Sequence, residues 1–327
     1  SVAARFGGRW VVAGGLVLAA AFSSAAAAPG KLVWLGVVLA LAGAASASTN
    51  AASGRVVVGW FPKERRGFAM GIRQMSQPLG VAVAALIVPP LAERFGIHAP
   101  LLVAGVVLAL LAIGCALWIE NPPRAQRSAE AVQAEVNPYF SGGFLARIHL
   151  VSMLLVLPQF TLATFGMVYM IAALGWSATA AGLIIGASQF IGALGRIAIG
   201  SLSDRLGSRV RVLRWVAIGA IVAMIAVAVT GALDWSLVGA VILVIASTIT
   251  VADNGLAYTS VAEAAGTAWV GRALGIQNTG QFIVASAVGP GIGALISLVG
   301  YPLAFAAVAI APLLAVPIVP RNDVHRD

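Results

Sequence analysis

The stretch SLSDRLGSR, residues 201–209, has a partial copy at the start of the chain, SVAARFGGR at residues 1–9. The two copies share a serine, two arginines and a glycine at a constant offset of 200 residues. A second pair of similar segments, MGIRQMSQ at 70–77 and LGIQNTGQ at 274–281, matches at an offset of 204. The same offset pairs Asn50 with Asn254. These matches predict that the chain is built from two related halves.

All four segments border or lie within apolar stretches, and the composition as a whole is apolar. Of the 327 residues, 60% are hydrophobic and only 9% are charged, whereas a soluble domain carries about 25% charged residues. A soluble fold of this size cannot hide so much apolar surface. We therefore predict an integral membrane protein. The net charge of +9 does not indicate nucleic-acid binding, because the basic residues are dispersed in short clusters between apolar runs.

Ten apolar segments are long enough to cross a bilayer, which takes about 20 residues in a helix. They are much too long for strands of a membrane barrel, so we expect helices. The predicted spans are 10–28, 31–61, 66–91, 98–119, 146–174, 177–202, 212–232, 236–264, 270–298 and 301–319.

The basic residues divide unevenly between the two ends of these spans. With residues 1–9 on one side and the spans alternating, that side receives 15 of the 20 basic residues. The opposite side receives only Lys31 and Arg94, and three further arginines lie inside spans. Positive charge favours the cytoplasmic side. We therefore expect a bacterial inner-membrane protein with cytoplasmic linker and C-terminus.

The repeat sets the predicted domain organisation. Spans one to four correspond to spans seven to ten, and the second half has two more spans before its copy of the opening motif. A symmetric protein would have twelve spans, so we expect two further helices upstream. The predicted parts are a truncated four-helix bundle at 1–119, a polar linker at 120–142 and a six-helix bundle at 143–327.

GSLSDRLGSR at 200–209 resembles the G-x-x-x-D-R-x-G-x-R loop of the major facilitator superfamily. The resemblance implies an all-α fold of two pseudo-symmetric bundles and secondary active transport by alternating access. It also implies that the loop acts as a conformational gate. The matching positions are Gly200, Asp204, Arg205, Gly207 and Arg209.

Asp253 is the main candidate for coupling to protons, because it lies near the middle of the eighth span. A carboxylate at that depth costs several kcal/mol unless it is paired or protonated. The resemblance places the repeat-related Asn50 and Asn254 in a central cavity, where they bind solute or hold helices together. We expect three glutamines to join them: Gln77, Gln159 and Gln281.

Arg55, Arg73 and Arg196 lie at similar depth, about 10 Å inside the cytoplasmic ends of three spans. One interpretation is that each side chain reaches back to the headgroups. The other is a vestibule that attracts anions, since guanidinium groups suit carboxylate, nitrate or phosphate. Both interpretations stay open at this point.

The chain lacks a nucleotide-binding GxxxxGK[ST] motif, a nucleophile–His–acid pattern and metal-ligand spacing. We therefore predict a monomeric transporter and not an enzyme, with no cofactor and no metal. Its partners would be a small solute, such as an organic or inorganic anion, a proton and the lipid bilayer. The alternatives are efflux of hydrophobic, drug-like compounds and a non-transporting sensor or inactive remnant.

Overall fold

The computed structural model describes residues 7–122, 137–140 and 142–325. Most of the predicted linker, the first copy of the opening motif up to residue 6, and Arg124, Arg127 and Arg326 lie outside these residues. The described chain is helical apart from short turns, so the predicted all-α class is confirmed. It contains nine helical stretches that are long and apolar enough to cross a membrane.

The first part of the chain, residues 7–122, is called the N-half here. Helix α1 packs against both α2 and α5. A short 3-10 helix, Lys63–Arg65, leads from α2 into the third span. That span consists of two helices, α3 and α4, which meet at Met75. The helices of the N-half are α1 (Gly8–Ala26), α2 (Leu32–Trp60), α3 (Arg66–Gln74), α4 (Ser76–Phe95) and α5 (His98–Trp118).

The remainder, residues 137–140 and 142–325, is called the C-half. Its core is formed mainly by α6, α8 and α10, which bury many alanine, valine and leucine side chains. The helices of the C-half are α6 (Phe144–Ala172), α7 (Ala178–Leu206), α8 (Arg209–Ala232), α9 (Ser236–Thr250), α10 (Asp253–Val308) and α11 (Ile310–Ile318).

Two glycines divide the long helix α10. Gly266 has φ 70° and Gly300 has φ 78°, values that side chains other than glycine rarely adopt. They separate α10a (253–265), α10b (267–299) and α10c (301–308). Because Gly300 breaks the last apolar stretch, Ala268–Ile318, in two, the described chain has the ten predicted spans.

Two spans that the sequence presents as continuous each contain a short break in the regular helical hydrogen bonding, although the backbone angles of the residues there stay in the right-handed helical region. The third span breaks at Met75, and Pro78 follows closely. Proline has no N–H, so the carbonyl of Gln74 loses its usual helical donor. The eighth span breaks at residues 251–252, immediately before Asp253. Both interruptions lie at the junction of the two halves, where they position the candidate site.

Candidate functional site

The two halves meet most closely at the end of the helices that carries Lys63, Arg205 and Arg209, called the basic end here. Helices α3 and α7 cross there through glycines, so their backbones touch. The carboxylate of Asp204 accepts hydrogen bonds from the backbone N–H groups of Gly67 (3.0 Å) and Phe68 (2.8 Å). These N–H groups belong to the first turn of α3 and have no acceptor within that helix. Asp204 of the C-half therefore caps a helix of the N-half.

Arg209 extends this contact into a network across the halves. Its guanidinium forms an ion pair of 2.5 Å with Asp204 and one of 3.3 Å with Glu263. It also donates to the carbonyl oxygen of Lys63, at 2.7 Å, in the N-half. Gly207 has φ 61° and ends α7, which allows the chain to turn into α8. Of the loop residues that the sequence singles out, Gly200, Asp204 and Arg209 contact the opposite half, whereas Arg205 and Gly207 are exposed.

A cavity of about 860 Å³ lies between the halves, on the membrane side of this contact. Phe160 and Phe282 form part of its wall, with their rings edge to face and their centroids 6.2 Å apart. Hydroxyl groups of serine and threonine add to the polar surface. Its amide-bearing residues are Asn50, Gln74, Gln77, Asn254, Asn278 and Gln281.

One hydrogen-bonded cluster closes the cavity towards the basic end. Asn50 of α2 donates to the side-chain oxygen of Asn278 in α10b, so the bond joins the two halves. The hydroxyl of Tyr258 donates to the same oxygen at 2.9 Å. The guanidinium of Arg73 donates to Asn50 and, at 2.9 Å, to Ser53. It also lies 5.5 Å from the centre of the Tyr258 ring. Arg73 is therefore held by internal partners.

A second cluster lies in the wall of the C-half. Asn254 donates to the side-chain oxygen of Gln159 at 2.9 Å, and Gln281 donates to Asn254 at 2.7 Å. Gln281 also donates to the hydroxyl of Ser152 at 2.5 Å. These bonds join α6, α10a and α10b. The repeat-related Asn50 and Asn254 thus each belong to a hydrogen-bonded cluster, one that joins the two halves and one within the C-half.

Arg196 of α7 is 1% exposed and reaches into the break of the third span. It donates to the backbone oxygen of Gln74, the carbonyl that Pro78 leaves without a helical donor. The side-chain oxygen of Gln77 lies 3.4 Å from both terminal nitrogens. Within the described residues, the Nε atom of Arg196 has no acceptor. A small cavity of about 80 Å³ adjoins this residue, lined also by Gln77, Gln159, Gln189 and Ser247.

Asp253 begins α10a and is completely buried. Neither carboxylate oxygen has a hydrogen-bond partner among the described side chains, and the backbone N–H groups of Asp253 and Asn254 are the donors that act on the carboxylate. Among the described residues, Arg196 is the cation that acts on it electrostatically. The positive end of the α10a dipole also favours negative charge at this position. The site thus holds a cation and an anion that attract each other but do not form a direct ion pair.

Most of the residues predicted for the site come together here. Asn50, Arg73, Asn254 and Gln281 take part in the two clusters, and Asp253 lies beside Arg196. Arg55 is half-buried in α2 and is not among the residues that line either cavity in the described chain. Of the three arginines of the prediction, Arg73 and Arg196 share Gln74 as a partner.

Sequence reasoning missed Tyr258 and Glu263. Tyr258 lies one helical turn after Asn254, so their spacing on one helix face is the signal that could have identified it. Glu263 is an ionisable residue within a predicted span, which by itself indicates a functional contact.

Comparison with known proteins agrees with this architecture. The family model described as Major Facilitator Superfamily matches residues 1–290. An uncharacterized MFS-type transporter of Mycobacterium tuberculosis (strain ATCC 25618 / H37Rv) is 45% identical over 314 residues, which is 96% of this chain and 70% of that protein. A hexuronate transporter of Bacillus subtilis (strain 168) is 26% identical over 138 residues, or 41% of this chain and 32% of that protein. A probable galactarate/D-glucarate transporter of the same organism is 28% identical over 105 residues, or 32% of this chain and 22% of that protein.

Solved structures share the fold at low sequence identity. The major facilitator transporter FucP, in the outward conformation, has a TM-score of 0.71 at 16% identity. The match covers 95% of this chain and 82% of the FucP chain. The human organic anion transporter MFSD10 has a TM-score of 0.75 at 15% identity, and the match covers 96% of this chain and 78% of the MFSD10 chain. The chain belongs to the major facilitator superfamily, a family of membrane transporters and not of enzymes.

Proposed function

We propose that this protein is a proton-coupled secondary transporter of a small anionic solute, working by alternating opening of the central cavity. The observation that carries the proposal is the buried neighbourhood of Arg196 and Asp253. The Nε atom of Arg196 has no hydrogen-bond partner among the described residues, and the carboxylate of Asp253 has no side-chain partner among them. Unsatisfied buried polar groups are costly. A bound solute and a bound proton would satisfy them.

Competition between the solute anion and Asp253 for Arg196 couples solute binding to proton binding. A solute anion that reaches this guanidinium competes with the carboxylate of Asp253 for the same positive charge. Protonation of Asp253 removes that competition, so the anion and the proton bind best together. By thermodynamic linkage, each raises the affinity for the other by the same factor. The expected result is that one proton accompanies each anion.

The lining of the larger cavity supports a hydroxylated solute. Amide and hydroxyl side chains both donate and accept hydrogen bonds, as solute hydroxyls do. The relatives named for hexuronate and for galactarate/D-glucarate support the same class, because these solutes are carboxylates that carry several hydroxyl groups.

The loop at 200–209 is proposed as the gate of the basic end. The contact between Asp204 and the first turn of α3 joins the halves only while this end is closed. Opening it exposes two N–H groups and a carboxylate that water can then solvate. The contact is therefore reversible, which alternating access requires.

Transport by the full-length protein in liposomes tests the proposal. The probes are D-glucuronate and D-glucarate, with D-glucose as the neutral counterpart. We expect an inward proton gradient to drive uptake of at least one acid, and Asp253→Asn to abolish the response to the gradient. Asp234→Asn is the matched control, because Asp234 is exposed in the loop between α8 and α9.

Two results would contradict the assignment. An Asp253→Asn variant with the same gradient dependence as Asp234→Asn removes the coupling role of Asp253. Uptake of D-glucose with neither acid transported removes the anion assignment. We expect Arg196→Gln to raise the KM for the acid at least tenfold, about 1.4 kcal/mol.

A further inference from the structure

The last described segment, residues 319–325, crosses the basic end of the C-half after α11. Arg147 of α6 donates to the carbonyl oxygens of Ile318, the last residue of α11, and Val319, and Arg214 of α8 donates to those of Val319 and Pro320, with N···O distances of 2.8–3.2 Å. The carbonyl groups at the end of a helix have no intrahelical donor, so cationic side chains are favourable partners. Val324 packs against the buried core of the C-half. The segment is therefore fixed to the protein at several points.

Asp323 of this segment caps helix α8. Its carboxylate accepts hydrogen bonds from the hydroxyl of Ser208 (2.6 Å) and from the backbone N–H groups of Arg209 (3.0 Å) and Val210 (3.1 Å). Helix α8 begins at Arg209, so these are its first N–H groups. Ser208 itself is the N-cap residue and accepts from the N–H of Arg211 at 3.2 Å, so Asp323 completes the cap from a position more than 100 residues further along the chain.

The helix that Asp323 caps begins with the residue that bridges the halves. The backbone of Arg209 is held by Asp323, while its side chain reaches Asp204 and the carbonyl oxygen of Lys63 in the N-half. The imidazole Nδ1 of His325 lies 3.4 Å from Glu263, the other acidic partner of Arg209. The segment therefore contacts Arg209 directly and through Glu263.

We propose that residues 319–325 form a strap that stabilises the closed state of the basic end by fixing the position of Arg209. The first turn of a helix frays unless its N–H groups are capped. Without the strap, the turn that carries Arg209 gains freedom, and the guanidinium reaches Asp204 and Lys63 in fewer molecules. The fraction of molecules with the basic end open would then rise.

The strap stabilises the closed basic end whether or not solute is bound, so its role is distinct from solute binding and transport. It rests on the alternating opening of the basic end that the proposed function includes. The test therefore measures opening directly, in the full-length protein and without solute.

The reporter is a single cysteine at Leu274, in a background with Cys115→Ser. Leu274 is fully buried, and a Cβ on Gly54 of the N-half would lie 2.8 Å from its side chain. Alkylation by a membrane-impermeant maleimide in inside-out vesicles reports opening at this contact. The matched reporter is Met224→Cys, which is fully buried among residues of the C-half and reports unfolding.

We expect Asp323→Ala to accelerate alkylation at position 274 about three- to tenfold, the range expected for the loss of a helix cap. Asn322→Ala, at the exposed neighbouring position, is the control and should leave the rate unchanged. If Asp323→Ala does not reach the membrane, Asp323→Asn retains an acceptor oxygen and should give a two- to fourfold increase.

Three outcomes separate the strap from the proposed function. Equal rates for the Asp323 and Asn322 variants overturn the strap, provided that Asp204→Ala raises the rate. An equal rise at position 224 also overturns it, because the segment then serves folding alone. If Asp204→Ala fails to raise the rate at 274, the proposed gate itself is contradicted, and the strap with it.

Discussion

Gly67 of α3 and Gly200 of α7 touch backbone to backbone, so that a Cβ atom on either glycine would overlap the carbonyl oxygen of the other. One turn further along α3, a Cβ on Gly71 would lie 2.7 Å from the carbonyl oxygen of Arg196. Small residues four apart allow helices in a membrane to approach this closely. The close crossing brings the first turn of α3 within hydrogen-bonding reach of Asp204.

Replacing Gly67 by alanine should therefore open or strain this crossing. In an ordinary helix, glycine to alanine is stabilising by about 0.5–1 kcal/mol, whereas overpacking a tight contact costs about 1–3 kcal/mol. We expect Gly67→Ala to lower the melting temperature of the purified protein. Gly275→Ala is the control, because a Cβ at Gly275 meets nothing within 4 Å. Equal melting temperatures for the two variants would contradict the close contact.

The Arg196–Asp253 attraction predicts a non-additive pair of substitutions. Arg196→Gln removes the main opposite charge near a fully buried carboxylate, so it should be strongly destabilising. Asp253→Asn in the same chain removes the carboxylate and should restore part of the loss. We expect a coupling energy of about 1–3 kcal/mol between the two sites. Thermal unfolding of the four proteins in the cycle measures it, and additive effects would show that the two charges do not interact.

The fold follows from the sequence because the bilayer sets the length of each helix. The number of spans and their ends near Trp60 and Phe95 follow from hydropathy and basic residues. The interruptions at Met75 and before Asp253 are less visible, since a break of one or two residues barely changes the mean hydropathy. Pro78 is the local signal for the first break. We identify no equivalent signal for the second.

The sequence predicts how deep in the membrane each site residue lies, but not which side of its helix faces the protein interior. Counting residues from a span end predicts that Arg55, Arg73 and Arg196 lie at one level. It does not say which way the side chains of Arg55 and Arg196 point, because both the lipid-facing and the protein-facing surfaces of their long helices are apolar. The contacts of Arg209 with Glu263 and Asp323 join residues far apart in sequence, so spacing alone cannot predict them.

The hydroxyl of Tyr258 is expected to matter for solute affinity. Tyr258→Phe keeps the ring beside Arg73 but removes the donor to Asn278, which is bonded to Asn50. Because this cluster limits the cavity towards the basic end, its loosening should raise the KM for the transported acid about three- to tenfold. Tyr301→Phe is the control, since Tyr301 packs among aromatic rings away from the cavity. An unchanged KM for Tyr258→Phe would remove this cluster from the binding site.

The orientation of the whole protein can be tested at the two lysines of the sequence. Lys31 precedes α2 and Lys63 follows it, so they are separated by a helix of 29 residues, or about 43 Å at 1.5 Å per residue. That length exceeds the ~30 Å hydrocarbon core, which places the two amines on opposite faces of the membrane. The excess of arginine at the Lys63 end predicts that this end is cytoplasmic.

An amine-reactive reagent that does not cross membranes, followed by peptide mass spectrometry, distinguishes the two lysines. In right-side-out vesicles we expect labelling of Lys31 alone, and in inside-out vesicles labelling of Lys63 with Lys31 protected. Permeabilised vesicles, in which both should react, control for intrinsic reactivity. Labelling of both lysines from one face would mean that α2 does not span the membrane. The cavity between α2 and α10 would then not lie across the bilayer, and alternating access through it would be impossible.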